Sequence, residues 1–164
     1  MTSKEALDRL LRAYVRYYDV NKEKPIEPFT SFAMFESREH GYFLLKKATI
    51  SDSETREFVY FYDAEHIDLE TVNRLEALAW EDGMKRVVPH SSHRNSDVIV
   101  VFIGEKIDQD AMAAVKKLRH YKSYKMTFYG WSNFSAIALD LSSGELSYNR
   151  FGSRLKKVFK SIIK

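Results

Sequence analysis

Apolar positions change their spacing along this chain, and each change marks an element. Val98 to Ile103 is a run of six consecutive apolar residues, the length of a buried strand and far too short to span a bilayer. Helical spacing follows it. Met112, Val115 and Leu118 share one face with Ala111 and Ala114 beside them, which predicts an amphipathic helix from Gln109 to about Arg119. A basic aromatic turn, His120 to Lys125, then leads to an expected strand at Met126–Tyr129. A strand and a helix of this size are not stable alone, so the rest of the chain must supply more sheet.

It does so on both sides. Thr2 and Glu5 have the spacing of a capping box and introduce a helix from Ser3 to about Asp19, with Leu7, Leu10, Leu11, Tyr14 and Tyr18 as its apolar stripe. Asn21 to Pro28 reads as an exposed loop, because each proline restricts the residue before it. Three strands are expected next, at Phe32–Glu36, Tyr42–Ile50 and Arg56–Asp63, with polar turns at Ser37–Gly41 and Ser51–Thr55. The third is apolar or aromatic at nearly every interior position, which suits a central strand covered on both faces.

Asp68 is placed to cap a helix carrying Val72, Leu75, Leu78 and Ala79 and ending near Gly83, with a short strand at Lys85–Val88 and a polar loop at Pro89–Asn95. Beyond Trp131–Asn133, Phe134–Leu141 and Leu146–Tyr148 form a hairpin, and Ser153 to about Ile163 a final amphipathic helix. The segments ending in Ile67-Asp68 and Ile107-Asp108 echo each other. Either an internal duplication or the mechanics of a strand–helix junction accounts for that echo; the junction is the favoured reading, because carboxylates there meet unpaired amides and the positive end of the helix dipole. The fold class is α+β: a single domain over residues 1–164, with a mixed or mostly antiparallel sheet covered by helices.

Composition narrows the chemistry. At 164 residues the chain suits one core, and an apolar fraction of 45% argues against disorder. The absence of cysteine excludes disulfides, thiolate metal sites and thiol catalysis. The N-terminus carries Glu5 and Asp8 with no apolar segment of signal-peptide type, so a cytoplasmic location is expected. A net charge of +3 conceals an asymmetry: residues 1–110 hold 15 Lys and Arg against 21 Asp and Glu, a net −6, whereas residues 111–164 hold 11 against 2, a net +9. A basic third of this kind steers toward polyanions, or equally pairs with the acidic part of its own chain or of another copy.

Candidate chemistry falls in four places. The order helix, three strands, helix, strand matches restriction-endonuclease-like domains, but the third strand lacks their acid-x-Lys pair; Asp52 and Glu57, with Lys46 and Lys47, are the nearest substitutes for a magnesium site. His90 and His93 share a loop, and His66 or His120 would have to join them to hold zinc without sulfur. Arg119, Lys122 and Lys125, extended by Arg150, Arg154, Lys157 and Lys160, suit phosphate contacts, and Tyr121 and Tyr124 suit stacking on unpaired bases. The same tyrosines equally suit packing beneath neighbouring helices. The final helix has the basic and apolar faces of a membrane-surface helix, although its apolar face also suits docking on the sheet.

Val88-Pro-His90, Glu105-Lys-Ile-Asp108, Tyr121-Lys-Ser-Tyr124, Tyr129-Gly-Trp131 and Ala138-Leu-Asp-Leu141 together resemble a family of small, uncharacterised prokaryotic proteins, a domain of unknown function, over most of the chain. The resemblance implies no catalytic assignment. It directs attention to His90, Lys122, Trp131 and Asp140 as a polar cluster. The resulting expectation is a non-enzymatic cytosolic domain, without cofactor or metal, acting through its basic C-terminal surface on nucleic acid or another polyanion. A structural or protein-interaction role, including self-association, is the first alternative. A degenerate or active magnesium nuclease is the second.

Overall fold

Why each segment adopts its element is clearest from which face it buries. The computed structural model describes residues 1–42 and 49–164, and the side chains of 1–37 and 53–164. In chain order the elements are α1 (Ser3–Tyr14), β1 (Asp19–Val20), β2 (Ser31–Tyr42), β3 (Thr49–Ile67), α2 (Leu69–Arg86), β4 (His93–Ile107), α3 (Gln109–Lys117), β5 (Tyr121–Ser123), β6 (Trp131–Asp140), β7 (Glu145–Tyr148), a 3₁₀ turn (Phe151–Leu155) and α4 (Lys156–Ile163). The strands form one sheet in the order β1-β2-β3-β4-β6-β5, with β7 also paired to β6. The β3–β4 and β4–β6 pairings are parallel and the others antiparallel, so the fold is α+β with a mixed, mostly antiparallel sheet.

Alternation along the central strands feeds two cores. Phe58, Tyr60, Val98, Val100, Phe102, Phe134 and Ala136 meet α2 and α3 on one face. Val59, Phe61, Ile99, Val101, Ile103, Ile137 and Leu139 meet α1 and α4 on the other. This explains why the middle of β4, Val98 to Ile103, is an unbroken apolar run: a strand segment covered on both faces has no solvent side to write in polar residues. Burial of each such side chain stabilises the fold by roughly 1.5–3 kcal/mol.

Several boundaries differ from the periodicity. The Thr2–Glu5 capping box is present, but α1 stops at Tyr14, where the chain turns to let β1 pair with β2. Ser37–Gly41 and Ser51–Thr55 are strand, not turns: Ser37 pairs with Thr55 and Arg38 with Glu54, so two long strands replace the three short ones expected. The polar residues there are held by backbone pairing, which is indifferent to side-chain hydropathy. Part of the expected strand Tyr42–Ile50 lies outside the described residues. Helix α2 runs through Gly83 to Arg86 and absorbs the start of the strand expected at Lys85–Val88. Gly83 serves packing, since a Cβ there would lie 2.4 Å from Val98 Cγ2.

The largest reversal concerns Tyr121–Tyr129. Tyr121–Ser123, expected as turn, is strand β5, and Met126–Tyr129, expected as strand, is the loop joining it to β6. Lys125, Met126, Thr127 and Gly130 all have positive φ, and an added Cβ on Gly130 would sit 2.1 Å from the Arg94 carbonyl oxygen. That close approach fixes where the chain can reverse. The echoed Ile-Asp pairs occupy matching places, with Ile67 beside Ile107 at the ends of parallel strands. Asp68 Oδ1 accepts the Thr71 amide at 2.9 Å, whereas Asp108 instead meets His66 Nε2 at 2.8 Å.

Candidate functional site

Asn149 builds the concave region that gathers most basic side chains. Its buried amide oxygen accepts from the Ala136 and Gly152 amides at 3.0 and 2.8 Å, and its nitrogen donates to the Leu118 and Phe134 carbonyls, each at 2.9 Å. One side chain thus ties the turn after β7 to the end of α3 and to β6. Gly152 allows the turn to lie this close, because a Cβ there would be 2.2 Å from the Ala136 oxygen. Between the tied segments lies a pocket of about 320 Å³.

Lys116, Lys117, Arg119 and Arg150 line it, and its lining contains no carboxylate. None of the four has an ion-pair partner among the described residues. Tyr121 and Phe151, both solvent-exposed, stand in the same wall. His120 forms part of the lining and is held in place: its Nε2 lies 2.5 Å from Glu76 Oε2, and its ring stacks on Trp80 at 5.0 Å. Four uncompensated cations around one concavity produce a local positive potential, and the flanking rings offer apolar faces.

The other basic residues singled out from the sequence lie elsewhere. Lys122 is exposed on β5, with its Nζ 5.7 Å from the centre of the Tyr124 ring. Tyr124 is not a free stacking platform: its ring packs against His93 at 5.7 Å, its hydroxyl bonds Ser132 Oγ at 3.0 Å, and burial raises its pKa. Lys125 sits 4.3 Å over Tyr129 in the β5–β6 loop. Lys157 and Lys160 are exposed on α4, the layer opposite α3.

Arg154 has a different function. Its guanidinium reaches Glu57 Oε1 at 3.0 Å and Asp97 Oδ2 at 3.3 Å, two carboxylates set side by side by the parallel register of β3 and β4. Tyr18 donates its hydroxyl to the second Glu57 oxygen. Burial pushes the Asp97 carboxyl upward and Arg154 opposes that shift; burial and the nearby Glu57 charge raise the Tyr14 and Tyr18 phenols. Arg154 therefore compensates charge inside the protein.

The polar cluster is split. His90 Nε2 contacts Glu54 Oε2 at 2.9 Å, and the second Glu54 oxygen lies 2.6 Å from Arg56 Nε, off the hydrogen-bonding direction. Trp131 opens β6, beside Asn95. Asp140 closes the same strand, roughly 30 Å away at strand rise, and there accepts from the Ser142 amide and hydroxyl at 2.9 and 2.6 Å. His93 bonds the Tyr129 carbonyl at 2.6 Å and Ser96 Oγ at 2.7 Å, and so anchors the loop. Among the described residues no group of three or more His, Asp or Glu side chains is arranged to hold a metal ion. The side chains of Asp52, Lys46 and Lys47 lie outside the described residues.

The sequence model of DUF8052, a domain of unknown function, matches residues 2–161. The chain belongs to that family. No curated protein and no solved structure matches it. Membership in DUF8052 bears out the resemblance to an uncharacterised family of small domains over most of the chain, and it brings no activity with it. Among the described residues no helix is long and apolar enough to cross a membrane.

Proposed function

We propose that this domain binds a phosphate-bearing polyanion, with unpaired nucleic acid as the ligand class, in the pocket between α3, β5 and the turn after β7. The observation that carries the reading is the set of four unpaired cations, Lys116, Lys117, Arg119 and Arg150, around a concavity whose lining has no carboxylate. Phosphates neutralise such cations with release of counterions, and an exposed base stacks on Tyr121 or Phe151. Lys122 and Lys125 lie further along the same strand and loop, where a longer strand would pass.

The test is fluorescence anisotropy of labelled single-stranded RNA, single-stranded DNA and duplex DNA across a salt series. Replacing Lys116, Lys117, Arg119 and Arg150 by glutamine is expected to weaken single-strand binding and flatten the salt slope by about 3, at about 0.7 per contact. Lys157→Gln with Lys160→Gln on α4 should change little. Unaltered slopes in the fourfold variant would retire the pocket, and equal losses in both variants would reduce the reading to net charge.

A protein-interaction role is the second reading, favoured by the β5–β6 loop. Met126 and Phe128 are 86% and 80% exposed, and three consecutive non-glycine residues hold left-handed backbone there. Each costs about 1–2 kcal/mol, which the contacts anchoring the loop must offset to keep those side chains presented. Magnesium nuclease activity and restriction-endonuclease-like topology gain no support from Glu57, which Arg154 and Tyr18 already engage. Magnesium-dependent shortening of the labelled strands would restore that reading.

A further inference from the structure

The pocket of about 540 Å³ on the other face of the sheet shares no lining residue with the basic pocket beside α3. It lies between the end of α1 and the start of α4, and its size falls in the range of small-molecule sites. Tyr14 and Tyr18, with ring centres 4.7 Å apart, line it together with Leu155 and Val158. Both tyrosines are fixed. Tyr14 packs edge-on against Phe61 at 5.2 Å, and the Tyr18 hydroxyl is committed to Glu57. The groove is therefore lined by rings and aliphatic side chains already held in place.

Its charge is one-sided. Arg12 and Arg16 line the groove, and neither has an ion-pair partner among the described residues. No carboxylate appears in the lining. Glu57 is bound to the Tyr18 hydroxyl and to Arg154, so the neighbouring acid is already matched. Tyr17, 76% exposed, adds a third ring at the mouth. Rings favour offset stacking on a planar apolar body, and guanidinium forks favour a carboxylate in two-point contact.

We propose that this groove is a separate ligand site for a small organic anion, an aromatic carboxylate whose ring enters between Tyr18 and Val158 while its carboxylate meets Arg12 and Arg16. The site is independent of the polyanion pocket, which lies on the opposite layer.

The experiment titrates the full chain with 2-naphthoate, followed by amide chemical shifts, against 2-naphthylmethylammonium and naphthalene-2-methanol as cationic and neutral probes of the same body. Saturable shifts are expected at Ala13, Tyr17, Tyr18, Leu155 and Val158, with the cation weaker by about tenfold or more. Arg12→Gln with Arg16→Gln, both at exposed positions, should lower naphthoate affinity by about tenfold and leave the neutral probe unchanged. Val158→Trp should fill the groove and abolish binding of all three; if that variant does not fold, the arginine pair alone decides. Equal affinity for anion and cation, absence of saturable shifts, or shifts confined to Lys116–Phe151 would overturn the proposal.

Discussion

Arg154 and Arg150 are four residues apart in the same basic segment, yet they have opposite surroundings. Arg154 turns inward to two carboxylates on adjacent parallel strands. Arg150 faces a pocket whose other cations also lack partners. The difference is made by strands distant in sequence: the β3–β4 register puts Glu57 beside Asp97 at one position, and no acid stands at the other. A count of basic residues therefore overstates the surface available to a polyanion. Which arginines are free is decided by register.

The largest test of this contrast is at the turn that builds the pocket. Gly152→Ala should lower the unfolding free energy by about 2–3 kcal/mol in urea titration, because its methyl group would overlap the Ala136 carbonyl. Arg154→Met should cost about 2 kcal/mol, a buried-pair loss discounted for the 44% exposure of the arginine side chain. Arg150→Met, by contrast, should stay within about 0.5 kcal/mol. Equal costs at the two arginines would erase the distinction between them.

Asp97→Asn sharpens it further. Because burial raises the native Asp97 pKa, the folded state binds more protons than the unfolded chain between about 4 and the native value. Stability attributable to this group therefore falls as pH rises through that window, and the asparagine variant should lose that portion of the pH dependence in urea midpoints from pH 4 upward. In the Arg154→Met background the same substitution should recover part of the lost stability. The smallest expected effect is at the exposed loop. Met126→Gly, at φ 53°, should stabilise by about 0.5–1 kcal/mol, measured by thermal melting.

Legibility followed the range of the interactions. The capping box at Thr2, the Asp68 cap, the doubly covered strands β3 and β4 and the amphipathic α3 were readable, because each depends on neighbours within one turn or on a face period. Tyr121–Gly130 was misread because its loop is fixed by contacts from outside: Gly130 against Arg94, His93 on the Tyr129 carbonyl and Tyr124 on Ser132. Arg119 and Tyr121 were recognisable members of the basic pocket. Lys116 and Lys117 lie off the apolar face of α3, where nothing in the spacing marks them as pocket residues, and Asn149, which ties the pocket together, leaves no pattern of charge or period.

By itself the sequence determined the class of fold, the elements that carry apolar stripes, the exclusion of cysteine chemistry and the basic bias of the last third. Those follow from composition and from periods of two and 3.6 residues, which survive in one dimension. Tertiary structure alone decided that Arg154 is the counterion of two largely buried carboxylates, that Asp140 and Trp131 sit at opposite ends of one strand, and that four other cations converge around a pocket. Strand register and the close approach of glycine backbones set those distances, and neither is written in the local order of residues.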